Sequence, residues 1–259
     1  DPEIPVPLAT PDYSRERIWS EEVKRYLRVG EAFFLGTPPR QWLGLYGRTL
    51  GRRQDQGAVL ILPSPEHHPD MPPINALRDG LRYHGWHTLA IQLPPLEKGA
   101  GPAEYGAALP LICPRLDDAF SWLRKRGLIN VAVLGYGLGA VLGASCVIKM
   151  PDKSAIAGFI GVSMGDAEIL PNSLQPGLLL EQLSMPVLDI YGERDLPTVR
   201  ADAHARSETA RHHRTTPFVQ YEVAGADPSF RGQEQILVAR VRGWLTNQAA
   251  GDEIPFRQQ

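Results

Sequence analysis

Val131-Ala132-Val133-Leu134-Gly135-Tyr136-Gly137-Leu138-Gly139-Ala140 decides the fold of this chain. Residues 131–134 form a short apolar run of the kind that builds a strand covered on both faces. Three glycines at alternate positions then make a sharp turn, and residues 139–149 read as an apolar helix. Strand, tight turn and helix are the repeating unit of a parallel sheet. The glycines also frame the pattern G-x-S-x-G, with Gly137 where a serine hydroxyl would stand.

The same rhythm extends in both directions. Strands are expected at 58–62, 88–92, 131–134, 156–162, 187–191 and 218–223, with helices near 74–84, 109–126, 139–149, 196–213 and 233–247. Residues 32–35 and 42–46, separated by Gly36 and Pro38-Pro39, read as an antiparallel hairpin at a sheet edge. Ile18, Trp19, Val23, Tyr26 and Leu27 give 14–28 an amphipathic helical pattern. Residues 165–183, with Pro171 and Pro176, break the rhythm as a lid-like excursion over the carboxyl ends of the strands. The organisation expected is an N-terminal extension and amphipathic helix (1–30), a single domain (31–250) and a short tail (251–259).

Composition narrows the function classes. A chain of 259 residues, 43% hydrophobic and 22% charged, has the profile of an ordinary globular domain. The net charge of −2, with both signs scattered, gives no phosphate-neutralising surface, so nucleic acid is not expected as a partner. No apolar run reaches the roughly 20 residues of a membrane-spanning helix. Asp1 and the proline-rich opening DPEIPVPLATPDYS suit either a mature terminus left by signal-peptide removal or a trimmed chain. Cys113 and Cys146 fall on two expected helices flanking the glycine-turn strand, and read either as a bridge in an exported protein or as two buried thiols.

The starting hairpin, the parallel series and the glycine turn on a central strand together resemble the α/β-hydrolase fold from about residue 30 onward. That resemblance implies a mostly parallel central sheet with an antiparallel N-terminal hairpin and helices on both faces. It also implies catalytic slots in the order nucleophile, acid, base. The nucleophile slot is Gly137. The acid slot is filled by Asp195, at the end of Pro186-Val187-Leu188-Asp189-Ile190-Tyr191-Gly192-Glu193-Arg194-Asp195, although an Asp here can equally serve a helix start at Leu196 or Pro197. In the base slot, Val223-Ala224-Gly225-Ala226-Asp227-Pro228 places Pro228 where the family has histidine, and no histidine follows His213. The oxyanion segment is also altered: Leu62-Pro63-Ser64-Pro65-Glu66-His67-His68 carries prolines, which lack amide donors.

Other motifs compete. Gly161-Val162-Ser163-Met164-Gly165 matches G-x-S-x-G literally, but it follows the next strand and leads into a short, proline-stopped segment, so Ser163 is the alternative nucleophile. Gly135, Gly137 and Ala140 also satisfy G-x-G-x-x-A, yet a dinucleotide fingerprint belongs after the first strand of its domain. Glu66-His67-His68-Pro69-Asp70 is the densest set of potential ligands, but adjacent histidines usually point apart and Asp70 reads as a helix cap, so no metal and no cofactor are expected. His212-His213 reads as a helix end, His84 and His87 as structural, and Trp86 and Trp122 as core.

Several phrases resemble, more narrowly, a bacterial exported α/β-hydrolase-like family of uncharacterised function. They are Ser14-Arg15-Glu16 before Trp19, Val29-Gly30-Glu31-Ala32, His68-Pro69-Asp70 and Gly85-Trp86-His87-Thr88-Leu89-Ala90-Ile91-Gln92-Leu93-Pro94. The reading expected is a catalytically degenerate, periplasmic or otherwise exported protein that binds a protein partner or a small anionic ligand. Its expected surface comprises Gly137, the Leu138 amide at a helix start, His67, His68, Asp195, Asp227 and the 165–183 excursion. The alternative is an active ester or amide hydrolase using Ser163, or a water held by His67 or His68; a structural envelope subunit is a third reading.

Overall fold

The structure is a computed structural model describing residues 10–50, 55–166, 168–212 and 215–251; the opening stretch 1–9, His213 and the tail 252–259 lie outside the described residues. In chain order the elements are α1 (Tyr13–Tyr26), β1 (Glu31–Thr37), β2 (Arg40–Gly47), β3 (Gly57–Leu62), α2 (Ile74–Arg82), β4 (Trp86–Ile91), α3 (Pro102–Ala107), α4 (Leu109–Arg124), β5 (Val131–Tyr136), α5 (Leu138–Lys149), β6 (Ile156–Val162), α6 (Pro176–Gln182), β7 (Val187–Gly192), α7 (Pro197–Arg211), β8 (Phe218–Val223) and α8 (Glu234–Gln248). The strands form one eight-stranded sheet in the order β1-β2-β4-β3-β5-β6-β7-β8. The β1–β2 hairpin and the β2–β4 pair are antiparallel; every pairing from β4 through β3 to β8 is parallel.

Burial explains the apolar runs. Every residue of β3, β4, β5 and β7 is buried, as a parallel sheet covered on both faces requires, whereas the edge strands β1 and β8 are largely open. Alternation splits β5 between two cores: Val131 and Val133 pack towards α4 and α5, Ala132 and Leu134 towards α2 and α8. Trp86 lies fully buried in the second core, while Trp122 stacks on Phe33 at 4.5 Å beside the first. The two cysteines are joined: Cys113 of α4 and Cys146 of α5 form a disulfide.

Three expectations need correction. The stripe expected on α1 does not pack as a unit, since Ile18 and Tyr26 are exposed; the helix is held by buried Val23 and by Glu16, which forms an ion pair with Arg115 of α4. A short helix, α3, went unanticipated because its six residues are too few to show a period. Finally, α7 ends at Arg211, ahead of the expected 213.

Candidate functional site

The glycine turn is built as a nucleophile elbow. Gly137 joins β5 to α5 with φ 57° and ψ −131°, and its N–H donates to the Val162 carbonyl at 2.9 Å. A Cβ on Gly135 would lie 2.2 Å from Ala140 Cα, and one on Gly139 would lie 2.2 Å from the Pro63 carbonyl oxygen. The framing glycines are therefore required by close packing of helix on strand. At Gly137 the nearest atom to such a Cβ is Ser64 Cβ at 3.6 Å, an ordinary contact. The position has room for a Cβ, and its left-handed backbone is what favours glycine.

Ser163 stands at the end of the neighbouring strand β6, also left-handed at φ 48°. Its hydroxyl donates to Asp195 Oδ2 at 2.6 Å, and both residues are buried. Asp195 Oδ2 accepts a second bond from the Gly192 N–H at 3.0 Å, and Oδ1 accepts from the Leu196 N–H at 2.8 Å. Asp195, expected in the acid slot, thus ties the Ser163 hydroxyl to the turn after β7 and supports the start of α7. In the triad arrangement an imidazole would stand between hydroxyl and carboxylate; here the two meet directly.

At Pro228, expected in the base slot, the loop after β8 is held through its backbone. The Tyr136 hydroxyl donates to the Pro228 carbonyl at 2.9 Å. Asp227, next to it, accepts from Ser229 Oγ at 2.8 Å and from the Arg231 N–H at 3.1 Å. Desolvation would raise the Asp227 pKa, but these bonds outweigh it and hold the carboxyl below its usual range. Burial, reinforced by the Asp195 and Asp227 charges, pushes the Tyr136 phenol up to about 12. The His67 ring lies 6.0 Å from the Tyr136 ring, its Nδ1 has no partner among the described residues, and burial lowers its pKa, favouring neutral imidazole.

The 66–70 cluster is dispersed, which corrects the expectation that its histidines share one mouth. Only His67 turns towards the elbow strand. His68 meets the edge of Trp19 on α1 at 6.5 Å and accepts from the Asp70 N–H at 3.2 Å. Glu66 is bound by Arg15 at 2.8 Å and by the Tyr105 hydroxyl. Asp70 forms an ion pair with the buried Arg78 inside α2; the cap position of that helix is Pro73 and has no side-chain bond, so Asp70 is no cap. Among the described residues no three His, Cys, Asp or Glu side chains gather at metal-binding spacing.

Among its described residues the 165–183 segment contains one 3₁₀ turn (Asn172–Leu174) and α6, packed on α5 and α7. Between it and α7 lies a cavity of about 560 Å³, walled by Met164, Ile169, Leu170, Pro197 and Val199, with Arg206 in its lining. Gly165, at its border, donates its N–H to the Gly137 carbonyl at 3.4 Å, so the cavity adjoins the elbow. Sequence reading missed Tyr136 and Arg206. Tyr136 was signalled by its place between the framing glycines; Arg206, on an otherwise polar helix, carried no comparable mark.

Comparison with solved structures gives the fold. Est1E from Butyrivibrio proteoclasticus is similar with a TM-score of 0.65 at 11% identity, over 84% of this chain and 98% of that one. Dienelactone hydrolase from Anabaena variabilis gives 0.63 at 18% over 85% and 97%, and an alpha-beta serine hydrolase homologue from Coxiella burnetii 0.62 at 17% over 83% and 99%. The α/β-hydrolase fold is therefore established for this chain. No curated protein matches the sequence. A family model described as "Protein of unknown function (DUF3530)" matches residues 1–111 and 107–247.

Proposed function

This chain belongs to the family described as "Protein of unknown function (DUF3530)", and from that premise we propose that it is a catalytically degenerate α/β-hydrolase-fold protein acting by binding in the bacterial envelope. One observation carries the reading: Ser163 Oγ donates straight to Asp195 Oδ2 at 2.6 Å, beside an elbow whose nucleophile position is Gly137. A hydroxyl bonded to a carboxylate without an imidazole has no base matched to its acidity, so serine chemistry has no activated nucleophile. The bond instead ties the end of β6 to the turn after β7. Binding is assigned to the space beside the elbow, where the cavity of about 560 Å³ has the size of a small-molecule site. Export is supported by the Cys113–Cys146 disulfide, which persists in oxidising compartments such as the periplasm.

A second reading rests on the left-handed backbone of Ser163, because strain of this kind gathers at functional sites. In it Ser163 is a relocated nucleophile and the protein is an ester or amide hydrolase. One experiment separates the two readings: hydrolysis of short- and long-chain nitrophenyl esters by the protein, by Ser163→Ala and by His67→Ala/His68→Ala. Background rates in all three are expected. Turnover abolished by either variant would overturn the binding reading.

A further inference from the structure

A second concavity lies away from the elbow, between α1, the β1–β2 turn and the first turns of α4. At about 1160 Å³ it exceeds the usual small-molecule pocket, which runs to about 1,000 Å³. Tyr13, Arg17, Ser20 and Lys24 line it at spacings of three and four, so one face of α1 forms a wall. We propose that this groove docks an extended acidic segment of a partner protein.

Charge is the first argument. Arg17, Lys24, Arg25 and Arg40 are exposed on its rim, against Glu21 as the exposed acid of its lining. Glu16 adds no free charge, being buried in its ion pair with Arg115. A strongly positive groove on a chain of net charge −2 is a local arrangement that complements an anionic partner.

The apolar lining supplies the second. Phe34 is 42% exposed and Tyr13 54%, and Lys24 Nζ lies 4.9 Å over the Phe34 ring. Trp42 forms part of the wall beneath the Arg115 guanidinium, 4.9 Å from its ring centroid. Pro39, Pro110 and Pro114 add rigid rings without amide donors. Aromatic and proline surfaces in a concave channel suit a chain in extended or polyproline conformation, packing by its side chains. A bilayer would instead need these rings on a convex crest.

The test is fluorescence anisotropy of a labelled peptide of alternating Glu and Pro with a central Phe, titrated with the whole protein. Binding that weakens with added salt, and by about tenfold or more in Lys24→Glu/Arg40→Glu, is expected. The Gln-for-Glu peptide should bind about tenfold more weakly than the acidic one. Phe34→Ser should weaken binding without altering the salt dependence. These variants change exposed residues, and far-UV spectra and melting temperatures matching those of the unaltered protein are the check that they fold. Equal affinity in the charge-reversed variant, no binding at millimolar concentration, or capture by phosphatidylglycerol vesicles in place of the peptide would each overturn the proposal. Ester hydrolysis, read in parallel, reports on the elbow and leaves this result independent.

Discussion

The Tyr136 hydroxyl and the Pro228 carbonyl, 92 residues apart in sequence, are joined by a hydrogen bond of 2.9 Å. The residue preceding Gly137 thereby secures the loop after β8 that carries Pro228. The same phenol predicts a pH dependence. Its folded-state pKa is raised to about 12, first by burial and then by Asp195 and Asp227. Unfolded tyrosine ionises near about 10, so the contribution is fully present below that pH and is lost as pH rises through about 12. Urea midpoints measured across this window should fall steeply for the protein and less steeply for Tyr136→Phe. Buried Tyr105, whose pKa is also raised by desolvation and by its bond to Glu66, retains part of the slope. Near neutral pH the Tyr136→Phe change should cost about 0.5–1.5 kcal/mol.

The elbow glycines should separate by mechanism. Gly137→Ala keeps ordinary contacts but forces a side chain to φ 57°, which costs about 1–2 kcal/mol. Gly139→Ala drives a Cβ to 2.2 Å from the Pro63 carbonyl oxygen, so β3 and α5 must part, at about 3 kcal/mol or more. Urea unfolding of both variants checks the order. Gly137→Ser should fold and still show only background ester hydrolysis, since the hydroxyl returns without an imidazole.

Residues with a periodic or punctuated neighbourhood were legible in the sequence. Alternating strands and helices, the Pro38-Pro39 hairpin and the Gly135-Gly137-Gly139 turn all stand where local pattern put them, because burial on both faces and close helix packing leave those marks. The side-chain pairings were not legible. Asp70 finds Arg78, Glu66 finds Arg15 and Glu16 finds Arg115, across separations of 8, 51 and 99 residues, and no local rule foresees such partners. Ser163 shows the limit from the other side: its motif was visible, but its bond to Asp195 arises only because β6 and β7 lie side by side.

Removing the disulfide should be costly. Cys113 and Cys146 are 33 residues apart and tie α4 to α5, the helix that carries the elbow. On the loop-entropy account, closing a loop of that length stabilises the fold by about 3–4 kcal/mol. Cys113→Ala/Cys146→Ala should lose roughly that amount in urea unfolding. The oxidised protein, unlike the double variant, should lose stability on reduction with dithiothreitol.

Arg206 joins stability to the cavity beside the elbow. Its side chain is fully buried, with Nε donating to Asp189 Oδ2 at 2.8 Å and Nη1 to the Val199 carbonyl at 3.0 Å. Gln220 donates to the same Asp189 oxygen at 2.8 Å, so strands β7 and β8 and helix α7 meet at one carboxylate. Arg206→Met would leave that carboxylate buried without its cation, at a cost of about 3–5 kcal/mol. Replacing both members, as Arg206→Met/Asp189→Leu, removes the uncompensated charge and should recover part of the loss, less the bond from the Gln220 amide, which keeps its other bond to the Ala203 carbonyl at 2.9 Å. A double-mutant cycle in urea measures the difference. Additive losses would show that the pair does not act as a unit, whereas recovery would place the cost in the stranded carboxylate.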